Sequence, residues 1–269
     1  MTVAVGAKTD VGLKRPHNED FLCVDSETGL YVVCDGLGGR NAGEVASRLA
    51  VQVIQQHMSE ARRNANLPMV GAYDRRFSPL TNRLASAIRL ANQAIREAAK
   101  NRPDQEGMGT TVVSAMLSGQ ALSVAHVGDS RMYLIRGNTI EPLTEDHSLV
   151  AEQVRMGILT EEEAELSPQQ NIITRALGLD DAVEVELGEV PLRQGDQLLL
   201  CSDGLTRCVK PDEILEVVRR EKDPQAAAER LVERANAAGG LDNTTVILLS
   251  IQHGAGNRPV RRVWNGLRI

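Results

Sequence analysis

Residues 31–44 read YVVCDGLGGRNAGE. The apolar run Tyr31 to Cys34 predicts a buried strand, and it stops abruptly at Asp35. A glycine-rich turn follows, and then a helix. Ala42, Val45, Ala46, Leu49, Ala50, Val53 and Ile54 recur at helical spacing and form one apolar stripe. A carboxylate at the tip of a buried strand, among glycines and without a cation beside it in sequence, needs a chemical reason.

Working outward, the runs TVAVGAKTD, FLCVDS and LYVVCDG predict three strands before that helix. Residues 60–80 are polar, broken by prolines, and read as a loop. A second helix is predicted from about Asn82 to Lys100, with Leu84, Ile88, Ala91 and Ile95 on one face. The segments GTTVVSAMLSG, ALSVAHVGDS, RMYLIRG and TIEPL read as an antiparallel meander. Ser118-Gly119 and Gly137-Asn138 supply tight turns within it. Charged residues in 147–176 suggest short helical pieces. Two strands (AVEVELGEV, DQLLLCSDG), two helices at about 211–221 and 224–238, and a final strand NTTVILLSI complete the pattern. Strands come in runs and helices in pairs, without strict alternation of strand and helix. That predicts an α+β fold with mostly antiparallel sheets and flanking helices. Residues 1–252 form one expected domain, and 253–269, with Arg258, Arg261, Arg262 and Arg268, a loose basic tail.

Bulk properties narrow the function. A chain of 269 residues with 42% hydrophobic and 25% charged residues can bury a large core, which must be aliphatic because aromatics make up only 2%. A net charge of −6 argues against a general nucleic-acid binder. No apolar run is long enough to cross a bilayer, and MTVAVGAKTD lacks a signal-peptide pattern, so a cytoplasmic monomer is expected. Cys23, Cys34, Cys201 and Cys208 form no CxxC pair and read as reduced thiols, mostly buried. The histidines lie apart at 17, 57, 126, 147 and 253, which argues against a zinc site.

Asp35 is not alone in its position. CSDG ends an apolar strand in Asp203, HVGDS ends another in Asp129, GGLDNTT places Asp242 before the last strand, and RPHNEDF places Glu19 and Asp20 at the start of one. Each alone could be an ordinary turn former or cap. If these ends converge, the carboxylates repel, and a divalent cation is the usual remedy. Carboxylates, a backbone carbonyl and water suit Mg²⁺ or Mn²⁺. Gly36 would let its carbonyl approach an ion without a side chain in the way. Arg15, four residues before Glu19, is either a surface ion pair or a fork for a phosphate. No GxSxG, P-loop lysine or Cys-x5-Arg pattern is present. Metal-assisted hydrolysis of a phosphoester is therefore the leading chemistry.

The ordered segments RPHNED, VVCDGLGG, GTT, VGDSR, EDHS, ITRALG, CSDGL and LDNTTV resemble the metal-dependent protein serine/threonine phosphatases (PPM, or type 2C) in their bacterial form. The resemblance covers about residues 1–251. It implies a four-layer αββα sandwich, two antiparallel sheets flanked by helices, with the metal centre at one end. It implies that Asp35 bridges two ions and that Gly36 offers its carbonyl. Asp203 and Asp242 would hold one ion, and Glu19 and Asp20 the other, largely through water. Asp129 matches the position of a weaker third ion, and Arg15 would bind the substrate phosphate. The implied reaction is attack of a metal-bridging hydroxide on phosphoserine or phosphothreonine in proteins, the products of a cognate kinase. Residues 147–176 would be the variable flap beside the site.

Two positions depart from that pattern. Many bacterial relatives carry a proposed proton-donating His where this chain has Arg40, which leaves water or His17 for the role. SDGLTR replaces the frequent SDGLTD, so that Arg207 stands where a carboxylate would serve the third ion. These departures motivate an alternative, a catalytically weak phosphoprotein-binding regulator. A metal phosphohydrolase of small molecules is a third reading.

Overall fold

The structure is a computed structural model that describes residues 2–38, 42–100, 102–252 and the backbone of 263–264. Its strands are β1 (Thr2–Asp10), β2 (Asp20–Asp25), β3 (Leu30–Leu37), β4 (Gly109–Thr110), β5 (Val112–Ser118), β6 (Ala121–Val127), β7 (Arg131–Arg136), β8 (Thr139–Pro142), β9 (Glu186–Pro191), β10 (Gln197–Cys201), β11 (Thr244–Gln252) and β12 (Val263–Trp264). The helices are α1 (Ala42–Arg63), α2 (Pro79–Lys100), α3 (Leu149–Arg155), α4 (Glu161–Glu165), α5 (Asp203–Thr206), α6 (Pro211–Arg220) and α7 (Pro224–Ala237).

Two sheets form, both antiparallel. One has the order β1-β11-β10-β7-β8, and the other β12-β9-β6-β5-β3-β2, with β4 added against the end of β3. Side-chain alternation sends each central strand into two cores, which is why these strands read as continuous apolar runs. Tyr31 and Val33 face the other sheet, while Val32 and Cys34 face α1 and α2. Leu198, Leu200, Ile247 and Leu249 fill the space between the sheets; Leu199, Cys201, Val246 and Leu248 pack under α6 and α7. The layers are therefore helix, sheet, sheet, helix, as the resemblance implied. Among the described residues no helix is long and apolar enough to cross a membrane.

The structure corrects several local expectations. The segments read as one meander are divided: β5 and β6 belong to one sheet, β7 and β8 to the other. The chain crosses over at Gly128 (φ +105°), immediately before Asp129. Both anticipated tight turns carry a glycine in the left-handed region, Gly119 (φ +60°) and Gly137 (φ +62°). The first helix continues to Arg63, and the second begins at Pro79, where the missing N–H costs nothing. The short helix α5 was not expected. Of the basic tail, 263–264 pair with β9 opposite Gly188 and Glu189, and the remainder lies outside the described residues.

Candidate metal centre

The six acidic residues come from both sheets and reach the same end of the sandwich. Glu19 and Asp20 open β2, Asp35 lies near the end of β3, Asp129 follows β6, Asp203 follows β10, and Asp242 precedes β11. In an antiparallel stack these ends of differently directed strands share one edge. Asp20 and Asp35 are direct cross-strand partners.

Backbone and small polar side chains fix these positions. The Asp35 N–H donates to Thr111 Oγ1 (3.0 Å), and the Asp35 carbonyl accepts from Thr111 N–H (2.8 Å) and Thr110 Oγ1 (2.8 Å). Ser202 Oγ donates to Asp20 Oδ2 (2.8 Å) and accepts from Thr245 N–H (2.9 Å), tying the two sheets together beneath the site. Asn243 Oδ1 accepts from Glu19 N–H (2.8 Å), and Asn243 Nδ2 donates to the carbonyls of Val11 and His17 (both 2.9 Å). The Glu19 carbonyl accepts from Gly36 N–H (3.1 Å) and Ser47 Oγ (2.6 Å). Gly36 sits against Gly43 in the first turn of α1. A Cβ on Gly36 would lie 2.2 Å from the Gly43 carbonyl oxygen, and one on Gly43 would lie 2.9 Å from the Glu19 carboxyl carbon. Only a glycine pair lets α1 approach the end of β3 this closely.

Among the described residues the cluster carries more carboxylates than cations. Burial pushes Asp20 and Asp203 up to about 6 and Asp129 up to about 7, with neighbouring carboxylates adding to each shift. Asp35 keeps some solvent exposure. Desolvation and the charges of Asp20, Asp203, Asp129 and Asp242 nevertheless push it well above the carboxylate range. Burial also raises Glu19. Asp20 Oδ1, Asp129 Oδ1 and Asp203 Oδ1 are buried without a hydrogen-bond partner. A buried orphan carboxylate oxygen is costly, and three in one cluster are what a missing hard cation would leave behind.

Among the described residues, two arginines border the cluster. Arg15 Nη2 pairs with Asp242 Oδ2 at 2.7 Å, and its side chain is half exposed at the mouth. Arg207 pairs with Asp203 Oδ2, lies 3.3 Å from Asp242 Oδ2 and reaches 4.0 Å from Asp129 Oδ2. His17 lies exposed on the Arg15 loop. Arg40 lies outside the described residues.

The acidic residues are all marked by their places at strand ends, whereas their supports, Thr110, Thr111, Ser202, Asn243 and Gly43, come to light only in the structure. A signal was present, since a small hydroxyl or amide residue accompanies most of these strand-end carboxylates. The histidines are also less scattered in space than in sequence. His126 and His147 stack with centroids 4.8 Å apart, and Glu186 Oε2 lies 3.1 Å from His147 Nε2. This trio has the composition of a metal site. However, the Gly128 N–H donates to His147 Nδ1 (3.0 Å), which leaves the ring proton on Nε2, facing Glu186. The His147–Glu186 pair ties the start of segment 147–176 to β9, Thr174 N–H donates to the His147 carbonyl (2.8 Å) near the segment's end, and His147 offers no open imidazole lone pair. Cys23, Cys34 and Cys201 are buried, and no disulfide forms among the four cysteines.

Comparisons with known proteins show the family and the fold. A family model described as Protein phosphatase 2C matches residues 15–242. The serine/threonine phosphatase stp of Listeria welshimeri is 38% identical over 246 residues, covering 90% of this chain and 93% of that protein. The crystal structure of the Mycobacterium tuberculosis serine/threonine phosphatase PstP/Ppp is similar with a TM-score of 0.83 and 36% identity, over 94% of this chain and all of that one. A structure of the PstP catalytic domain in complex with 2 manganese ions is similar with a TM-score of 0.80 and 35% identity, over 93% of this chain and 99% of that one.

Proposed function

This chain belongs to the protein phosphatase 2C family, and on that premise we propose that it hydrolyses phosphoserine and phosphothreonine in proteins, with Mg²⁺ or Mn²⁺ held by the carboxylate cluster. The observation that carries the reading is the set of buried, unpaired oxygens on Asp20, Asp129 and Asp203 among six converging carboxylates. That donor set is all oxygen and strongly anionic, which fits hard divalent ions and not zinc.

Asp35, Asp203, Asp242, Asp20 and Glu19, with the Gly36 carbonyl, would hold the ions. When bound, the ions lower the pKa of a coordinated water and offset charge on the phosphoryl oxygens. The protein's own part is positional. Thr110 and Thr111 fix the backbone of Asp35 by three hydrogen bonds, and Ser202 fixes the carboxylate of Asp20. Arg15 reaches the mouth from a half-exposed loop, and its guanidinium fork suits two phosphate oxygens. Its partner oxygen on Asp242 is one that an ion would claim, which frees the fork for substrate. Water, or the exposed imidazole of His17 on the same loop, would supply a proton to the leaving alkoxide in place of the residue that Arg40 replaces. Substrates of this class are made by serine/threonine kinases, and segment 147–176, tied to β9 by His147–Glu186 and drawn together by the bond from Thr174 N–H to the His147 carbonyl, would sort among them.

The test is release of phosphate from a phosphothreonine peptide, measured with Mn²⁺, with Mg²⁺ and with excess chelator. Turnover that depends on the ion and disappears with chelator is expected. Turnover unaffected by chelator, or none with either ion, would overturn the assignment.

A further inference from the structure

Arg207 is placed unlike any other cation among the described residues. It stands one helical turn after Asp203, at the C-terminal end of α5, and its guanidinium turns back into the carboxylate cluster. It faces one oxygen from each of three acids: Oδ2 of Asp203, Oδ2 of Asp242 at 3.3 Å and Oδ2 of Asp129 at 4.0 Å. Its side chain is only a quarter exposed, so these carboxylates are its environment, not occasional surface partners. The Asp129 side chain is 6% exposed, and its other oxygen, Oδ1, has no partner.

Among the described residues, Arg207 pairs with more of the cluster's carboxylates than Arg15, which pairs with Asp242 alone. Arg207 stands at the side formed by Asp129 and Asp203, the side on which the resemblance implies a further ion. A guanidinium cannot lose its proton to make room, and it repels a divalent cation at that range.

We infer that Arg207 is a built-in cation of the centre, a positioning residue that holds the Asp129–Asp203 side by itself and limits the chain to two divalent ions. The inference rests on the proposed metal-dependent function and adds the stoichiometry of the same site. It also gives Asp129 a partner that does not depend on metal supply.

The test is Mn²⁺ titration of the full chain, read by calorimetry and by the electron-paramagnetic signal of free Mn²⁺, so that activity is not the readout. Wild type and Arg207→Lys should saturate at about two ions per chain, and Arg207→Asp at about three, because two added carboxylate oxygens replace a cation. Arg207→Gln guards against misfolding of the charge-reversed variant: loss of the positive charge should tighten Mn²⁺ binding by about tenfold. A third ion in wild type, or Arg207→Asp folded and saturating at two, would overturn the inference while leaving the phosphatase reading intact. Unchanged Mn²⁺ affinity in Arg207→Gln would do the same. Failure of wild type to bind Mn²⁺ at all would remove both.

Discussion

Asp20 and Asp35 face each other directly across the antiparallel β2–β3 pair. Like charges in that relationship destabilise a sheet, and here four more carboxylates surround them. Holding these charges together costs stability, and the proposed ion site would use them. Asp35→Asn should therefore have opposite effects on the two properties. Turnover of a phosphothreonine peptide should fall by about a thousandfold or more, the scale of losing a principal electrostatic element of a site. The ion-free melting temperature should rise by several degrees, as one of the repelling charges disappears. A variant that keeps near-wild-type turnover would remove Asp35 from the centre.

Arg15→Ala should act on substrate affinity. Arg15 is half exposed and paired to Asp242, so its removal leaves the core untouched. KM for the phosphopeptide is expected to rise by about tenfold, the value of one charge-assisted fork, with kcat changed much less. Steady-state kinetics at saturating Mn²⁺ provide the check; a large kcat loss at constant KM would contradict the assignment.

The raised carboxylates set a pH dependence with an unusual sign. Burial lifts native Asp20 and Asp203 to about 6 and Asp129 to about 7, above the unfolded value near 3.9. A native acid that holds its proton more tightly than the unfolded one stabilises the fold below the unfolded pKa. That stability is lost as pH rises through the native pKa. Chelated protein should melt at falling temperature from about pH 4 to about pH 7. Mn²⁺ should restore the loss, increasingly so at higher pH, because ion and proton compete for the same oxygens. Calorimetric scans with and without chelator across that window decide the matter. A chelated melting temperature that stays level or climbs would count against the burial of these charges.

Gly43→Ala probes the contact between α1 and β3. The new Cβ would lie 2.8 Å from the Gly36 carbonyl carbon and 2.9 Å from the Glu19 carboxyl carbon, so α1 must move away from the site. Overpacking of this kind costs about 1–3 kcal/mol. Activity should fall more than stability, because Glu19 and Gly36 move with the helix. Circular dichroism with parallel kinetics separates the two effects; full activity would show that this approach is not required.

Ser202→Ala tests the support under Asp20. The hydroxyl donates to Asp20 Oδ2 and accepts from Thr245 N–H, both in the interior, so its loss strands a buried acceptor and a buried donor. Destabilisation of about 2–3 kcal/mol is expected from denaturant melts.

Much of this protein was legible along the chain. Runs such as Tyr31–Cys34 and Leu198–Cys201 marked strands buried on both faces, and the stripe from Ala42 to Ile54 marked the helix packed on one of them. An acidic residue at the end or start of each such strand marked the candidate site, and the ordered motifs pointed to the family. These features are local: backbone periodicity and immediate neighbours produce them, so they survive in a one-dimensional reading. The partition of the strands did not. Nothing near Gly128 announces that β6 and β7 join different sheets, because strand order is decided by packing of distant segments.

The amino-acid sequence alone thus determined the kinds of groups available and their places at the strand ends. Only the tertiary structure decided what those groups meet. It brought six carboxylates to one edge, set two glycines face to face under Glu19, stacked His126 on His147, and turned Arg207 back among Asp203, Asp242 and Asp129. The physical reason is range. Propensity and periodicity act over a few residues, whereas charge and packing act through space, and the partner of Arg207 that lies 35 positions away is as near to it as a neighbour in sequence.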